Sequence, residues 1–383
     1  MDIREERGMT NMASFQEVVK NHHDYAKEWK ARTGGKVLGY FCTYTPEEII
    51  YAAGMLPVRI IGSLEPTEVS ESHIPSMYCP FCRDCLAQGL QGKYDYLDGI
   101  VLAKSCMHMM QAYWSWSMHL PIAYSHFIGM PSVLGAPRAK ERLVAELARF
   151  KESLEQWTGK PITDVDLDRG IDLMNTNRRL LRQVYEMRKP DPPLISGTEV
   201  APVVLSSMLS DKGEHSAWLE QLLSEIPQRQ NRLPPGARLM IVGSENHDPE
   251  LYQIIEEQGA NIVIDEFCMG SRYFWNQTPH QEDRLSAIAE RYLTRPRCPV
   301  KDVNERRRLD HVVALAKEFH VQGALLLHQK FCTPHAFDLP HIRKALEENG
   351  IPTYALELDV TLHRGSVRTR TEAFLEMLEM EVA

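Results

Sequence analysis

Eight cysteines give this chain most of its capacity for chemistry. Three of them fall in the run Tyr78-Cys79-Pro80-Phe81-Cys82-Arg83-Asp84-Cys85. The C-x2-C-x2-C spacing reproduces part of a ferredoxin ligand run, but Gly89 stands where the fourth cysteine would be, so a local motif is incomplete. Four others end short apolar runs: Cys42 after Val37–Phe41, Cys106 after Gly99–Ser105, Cys268 after Asn261–Phe267 and Cys332 after Gly323–Phe331. In an open parallel sheet, loops at the carboxyl ends of strands converge on one crevice, so thiols from distant parts of the chain can meet there. Thiolates are the soft ligands that iron–sulfur clusters need. Structural zinc sites show paired Cys or His elements, and only one such region exists here. The fifteen histidines form no HExxH motif; His108 and His335 stand closest to the candidate ligands. Cys298, in Arg297-Cys298-Pro299, reads as a small buried hydrophobe, and Cys268 stands evenly between burial and ligation.

The elements that must position these thiols are legible as alternating patterns. Val37–Cys42, Leu56–Ile61, Tyr96–Ser105 and Ile122–Ile128 are strand candidates, making residues 35–136 an α/β unit after an N-terminal extension and helix over 1–34. Thr45-Pro46-Glu47-Glu48 supplies an N-cap, a proline at the first helical position and acids in the first turn. The segment reads either as a well-capped turn or, with Cys42, Tyr44 and Glu47 at the sheet's opening, as part of a substrate pocket. Residues 137–235 carry helical spacing without a strand and read as a helical insertion or linker, closed by Arg232-Leu233-Pro234-Pro235-Gly236. Beyond it, strands at 238–243, 262–267, 323–328 and 352–358 alternate with helices at 247–259, 281–293, 303–319, 338–349 and 369–380. Residues 236–383 are therefore expected to be a second α/β domain with a parallel sheet.

The 383 residues suffice for two such domains, and 43% hydrophobic with 25% charged residues is an ordinary globular composition. A formal charge of −9 argues against nucleic-acid binding, which needs a positive field. Arg306-Arg307-Arg308 lies among acids and reads as a solvated helix face. Arg368 and Arg370 read as solvated or subunit-interface residues. No apolar run is long enough to span a bilayer, and MDIREERGMT lacks the apolar core of a secretion signal, so a cytoplasmic location is expected. Cytosolic cysteines are kept reduced, which directs their number toward metal binding, catalysis or burial. There is no Walker-type glycine loop, so nucleotide chemistry would belong to a partner.

Taken in order, Gly39-Tyr-Phe-Cys-Thr-Tyr-Thr-Pro-Glu-Glu-Ile-Ile-Tyr-Ala-Ala-Gly-Met-Leu-Pro57, Cys79-Pro-Phe-Cys-Arg83, Asp265-Glu-Phe-Cys-Met-Gly-Ser-Arg-Tyr273, Lys330-Phe-Cys332 and Arg368-Thr-Arg-Thr-Glu-Ala-Phe374 resemble the 2-hydroxyacyl-CoA dehydratase and benzoyl-CoA reductase family. The likeness runs from about residue 35 to the C-terminus. It implies two Rossmann-like or flavodoxin-like parallel-sheet domains of the α/β class and an iron–sulfur cluster, 4Fe-4S in type, held by three cysteines near their interface. Carried across by motif, those are Cys79, Cys106 and Cys332, with Cys82 the second choice in its loop. It also implies a homologous cluster-bearing partner subunit, a separate ATP-hydrolysing iron–sulfur activator and an acyl-CoA substrate. The cluster-bearing subunit of an ATP-dependent benzoyl-CoA reductase is the reading this favours. A dehydratase subunit is the first alternative, and an electron-transfer, scaffold or double-cluster reductase subunit without an acyl-CoA site is the next.

Overall fold

The computed structural model describes residues 11–230 and 233–382. The expected N-terminal extension lies largely outside them, as does Arg232 of the expected boundary. Two helices, α1 (Asn11–Lys20) and α2 (His22–Thr33), precede a first unit whose order is β1 (Val37–Tyr40), α3 (Glu47–Ala52), β2 (Leu56–Arg59), α4 (Pro80–Leu90), β3 (Gly99–Ala103), α5 (Met107–His119) and β4 (Tyr124–Ile128). Four helices follow without a strand: α6 (Ala139–Thr158), α7 (Asp164–Glu186), α8 (Gly197–Ser207) and α9 (Lys212–Glu225). The rest runs β5 (Ala237–Gly243), α10 (Pro249–Glu256), β6 (Ala260–Glu266), α11 (Ser271–Phe274), α12 (Arg284–Thr294), α13 (Arg307–Glu318), β7 (Gly323–Gln329), α14 (Thr333–Glu347), β8 (Thr353–Leu358) and α15 (Arg364–Val382).

The strands form two four-stranded sheets, ordered β2-β1-β3-β4 and β6-β5-β7-β8. Every pairing is parallel, with Leu38 opposite Gly99 in the first sheet and Leu239 opposite Gly323 in the second. The α/β class and the two parallel sheets expected from the sequence are thus present. Strands such as Ile100–Ala103 and Leu239–Val242 are buried along their whole length, as covering helices on both faces require. The two sheets share one winding order. Each has its reversal between the first and third strands, so crevices open at the carboxyl ends of β1 and β3 and of β5 and β7.

Helix α7 ties the two halves together. A capping box starts it: Thr163 Oγ1 accepts from Asp166 N–H, and Asp166 accepts from Thr163 N–H at 2.9 Å. Its buried face, Leu167, Ile171, Met174, Leu181 and Val184, follows helical spacing. Gly170 lies on that face because α3 passes so close that a Cβ there would sit 2.2 Å from the Glu48 carbonyl oxygen. Near α3, Arg178 donates to Glu48 at 2.7 Å; at the other end, Tyr185 donates to Asp265 of β6 at 2.6 Å. One apolar core continues from the first sheet through α7–α9 into the second, and a smaller one fills the space between the first sheet, α3, α6 and α12.

Two local expectations change. Thr45 does not cap α3: Pro46 is the N-cap residue, and Thr45 Oγ1 is buried without a partner. The first-turn acids turn inward instead, Glu48 to Arg178 and Glu47 to Tyr273 and Lys212. Nor is the arginine triplet uniformly solvated. Arg306 and Arg307 are partly exposed, but Arg308 is fully buried against Glu266 and Asp338. Asp302 accepts from the Arg308 N–H at 2.7 Å and so turns the start of α13 inward.

Candidate metal centre

The site forms where both sheet crevices meet. Cys79, Cys106 and Cys332 are the N-cap residues of α4, α5 and α14. At each position the helix offers unpaired N–H groups and the positive end of its dipole, which favour a thiolate. Each sulfur takes up such a donor: Cys79 from Cys82 N–H, Cys106 from Met109 N–H and Cys332 from His335 N–H. The three also sense one another. Burial first, then Cys79 and Cys332, push the Cys106 thiol up, and burial followed by Cys79 pushes Cys332 up to about 12. Hydrogen bonding from Cys82 draws Cys79 down to about 5, with His108 assisting.

The structure therefore brings together the three candidate ligands read from the sequence. It also places Cys82 and His108 against Cys79, with ligand atoms of all three within 4.8 Å of one another. Cys79 N–H donates to His108 Nδ1 at 3.1 Å. Cys82 Sγ also lies within hydrogen-bond reach of the Cys79 carbonyl at 3.2 Å, and the Cys85 thiol donates to the Ile60 carbonyl at 3.6 Å. The Cys85 thiol is thus engaged as a donor in the packing beneath α4.

The candidate pocket residues separate. Cys42 is partly exposed at the end of β1. Tyr44 is buried, with the Arg295 guanidinium 4.6 Å from its ring centre, and its hydroxyl accepts from Cys298 N–H at 3.4 Å. Glu47 is buried on Tyr273 and Lys212, so it belongs to the joint between the halves. Cys298 is partly buried against the smaller apolar core, much as the sequence suggests, and its thiol is in addition hydrogen-bonded to that of Cys268.

Sequence reasoning missed the charged groups around the thiols. Glu245 follows β5 and accepts from Arg59 at 3.2 Å; burial pushes its carboxyl up, and it contacts Cys268. Gly243, at φ +145° with the Leu327 carbonyl 2.0 Å from where a Cβ would be, permits the turn that delivers Glu245. Arg59 and Arg272 are fully buried, and Nη1 of each lacks a hydrogen-bond partner. Arg272 was visible in the Cys268-Met-Gly-Ser-Arg272 motif; Arg59 and Glu245 carried no local signal.

The donor set fits an iron–sulfur cluster: three thiols from three helix starts, backbone N–H groups on each sulfur, and buried cations to offset negative charge. Among the described residues no helix is long and apolar enough to cross a membrane.

Residues 42–378 match the family described as 2-hydroxyglutaryl-CoA dehydratase, D-component. The (R)-phenyllactyl-CoA dehydratase beta subunit of Clostridium sporogenes is 29% identical over 95% of this chain and 97% of its own length. A benzoyl-CoA reductase subunit from Thauera aromatica is 26% identical, over 85% of this chain and 86% of the relative. The (R)-2-hydroxyglutaryl-CoA dehydratase subunit beta of Acidaminococcus fermentans is 27% identical over 95% and 98%. With a family match across nearly the whole chain and subunits of both dehydratases and a reductase among its relatives, the chain belongs to the 2-hydroxyacyl-CoA dehydratase and benzoyl-CoA reductase family.

Proposed function

We propose that this chain is an iron–sulfur subunit of an enzyme that delivers single low-potential electrons to an acyl-CoA thioester. The observation that supports it is the convergence of Cys79, Cys106 and Cys332, each at a helix start, on the crevice shared by the two sheets. A bound 4Fe-4S cluster supplies one-electron redox chemistry at a potential tuned by its surroundings. The three cysteines hold it, and Arg59 and Arg272 stabilise negative charge in a site of low dielectric. Met77, Met107 and Phe331, each within two residues of one of these cysteines, are 68%, 71% and 52% exposed. Apolar side chains at the rim suit coverage by a homologous subunit that keeps water out, with an ATP-hydrolysing activator as the electron source.

Benzoyl-CoA ring reduction is the reaction favoured by the sequence motifs. Dehydration of a 2-hydroxyacyl-CoA is the second reading, supported by relatives named as dehydratase subunits. Both begin with one electron entering a thioester-activated acyl group. Anoxic protein should be brown and contain iron and acid-labile sulfide, and Cys79→Ser, Cys106→Ser and Cys332→Ser should each abolish or convert the cluster. Stoichiometric zinc without sulfide, bound through Cys79, Cys82 and His108, would overturn the reading. With partner subunits and ATP, loss of the aromatic absorbance of benzoyl-CoA marks the reductase, and enoyl-CoA formation from a 2-hydroxyacyl-CoA marks the dehydratase.

A further inference from the structure

Arg308, from the triplet that reads as solvated, is fully buried and divides its guanidinium between two carboxylates. Nε meets Glu266 at 3.0 Å, Nη2 reaches the same carboxylate, and Nη1 reaches Asp338. Asp302 turns the start of α13 toward them by accepting from Arg307 N–H at 3.1 Å and Arg308 N–H at 2.7 Å. The charges continue to alternate beyond Glu266. Arg272 Nε lies 3.2 Å from that carboxylate, and Arg272 Nη2 donates to the Gly243 carbonyl at 3.2 Å. Burial pushes the Glu266 carboxyl up, but Arg272 and Arg308 outweigh it and hold the group below the usual carboxylate range.

This row of charges meets the metal centre at α14. Cys332 is the N-cap residue of that helix, and its buried side chains are His335, Asp338, Leu339, Ile342 and Leu346. The buried groups nearest the cysteine are therefore polar, and the first apolar anchor is Leu339. His335 lies close enough to Arg308 and Arg272 to feel both charges. Immediately before Cys332, Phe331 has φ +62°, in the left-handed region that bulky side chains rarely adopt. Such a turn persists only where its surroundings fix it, and the ion pair of Asp338 with Arg308 supplies a fixed point in the helix that follows.

We propose that Arg308 is a positioning residue of the metal centre: through Asp338 it holds the start of α14, and with it Cys332, and through Glu266 it aims Arg272 at the crevice. The inference rests on the iron–sulfur reading above and adds to it a residue that acts on Cys332 through another. Arg272 in turn faces Cys268 and Glu245. One buried guanidinium thus places both a ligand and a counter-charge. Lysine would keep the charge, but its ammonium lacks the planar fork that serves two carboxylates together.

Two measurements on the full-length chain test this, with folding checked by circular dichroism. The first is the rate at which iodoacetamide alkylates Cys79, Cys106 and Cys332 in anoxic, metal-free protein, read peptide by peptide by mass spectrometry. In Arg308→Lys and in the milder Asp338→Asn, alkylation of Cys332 should rise about tenfold, while Cys79 and Cys106 stay within about twofold of wild type. Arg307→Met, at the partly exposed neighbour, should match wild type at all three. The second is the EPR spectrum of the reduced chain after reconstitution with ferrous iron and sulfide, which both variants should shift. Wild-type alkylation in both variants, or an equal rise at all three cysteines, would overturn the positioning role, and with iron bound it would leave the iron–sulfur reading standing. A selective rise at Cys332 in protein that takes up no iron would overturn that reading and leave the positioning role in place.

Discussion

Replacing Arg178 by methionine should weaken the joint between α3 and α7 and reverse the pH behaviour of Glu48. Glu48 is fully buried and accepts from Arg178 at 2.7 Å, Thr278 at 3.0 Å and Tyr292 at 3.0 Å. Burial pushes its carboxyl up, but Arg178 and Arg291 together outweigh burial and hold it at about 2, against an ordinary 4.5. That difference corresponds to about 3 kcal/mol of stability, fully present above pH 4.5 and lost as pH falls through about 2. Without Arg178 burial dominates, the folded-state pKa rises above 4.5, and Glu48 then costs stability increasingly as pH rises toward neutrality. Leaving a buried charge unpaired costs about 3–5 kcal/mol. With an m-value of about 3 kcal/mol/M, the urea midpoint of metal-free protein should fall by about 1 M at pH 7. The gap to wild type should narrow by about 1.4 kcal/mol per pH unit between the two folded-state pKa values. Glu48→Gln/Arg178→Met should recover part of the loss, because neither charge then remains alone. A loss below about 1 kcal/mol at pH 7, or one equal at pH 7 and pH 4, would refute the reasoning.

Three further outcomes follow from the geometry. Gly170→Ala should destabilise by about 1–3 kcal/mol in urea titrations, because its Cβ would strike the Glu48 carbonyl; on a solvated helix the same change would stabilise by about 1 kcal/mol. Glu256→Ala should cost about 1–2 kcal/mol by the same assay, since that carboxylate accepts from the Gly197 and Thr198 N–H groups at 2.8 Å and caps α8 from a neighbouring helix. The isolated chain should hydrolyse no ATP above a buffer control, and turnover comparable with a complete complex would contradict its reading as one part of an assembly.

The strands were legible because parallel strands covered on both faces leave continuous apolar runs, and the order of motifs marked which cysteines end them. Element limits were less so. The expected helix at 338–349 spans Thr333–Glu347, beginning just after Cys332 with Pro334 in its first turn and carrying Pro340 inside it. Arg308 looked solvated because its acids, Glu266 and Asp338, are distant in sequence. The Cys268 and Cys298 thiols meet only through the packing around α12 and Arg295, which no local spacing encodes. Glu245 was hidden for the same reason: a turn residue acquires meaning only once Arg59 arrives from the other sheet.

The continuous core has a consequence during synthesis. The apolar face of α8 is completed by β6 and α10, which emerge from the ribosome later than the helix they cover. From Ser207 at the end of α8 to Glu266 at the end of β6 the ribosome adds about 60 residues, which takes about 3–12 s at ordinary translation rates of about 5–20 residues per second. Throughout that interval Val200, Val203, Val204 and Leu205 lack their final partners, and Tyr185 lacks Asp265. A nascent chain halted before β5 should therefore hold chaperones until the second sheet is released to close over it.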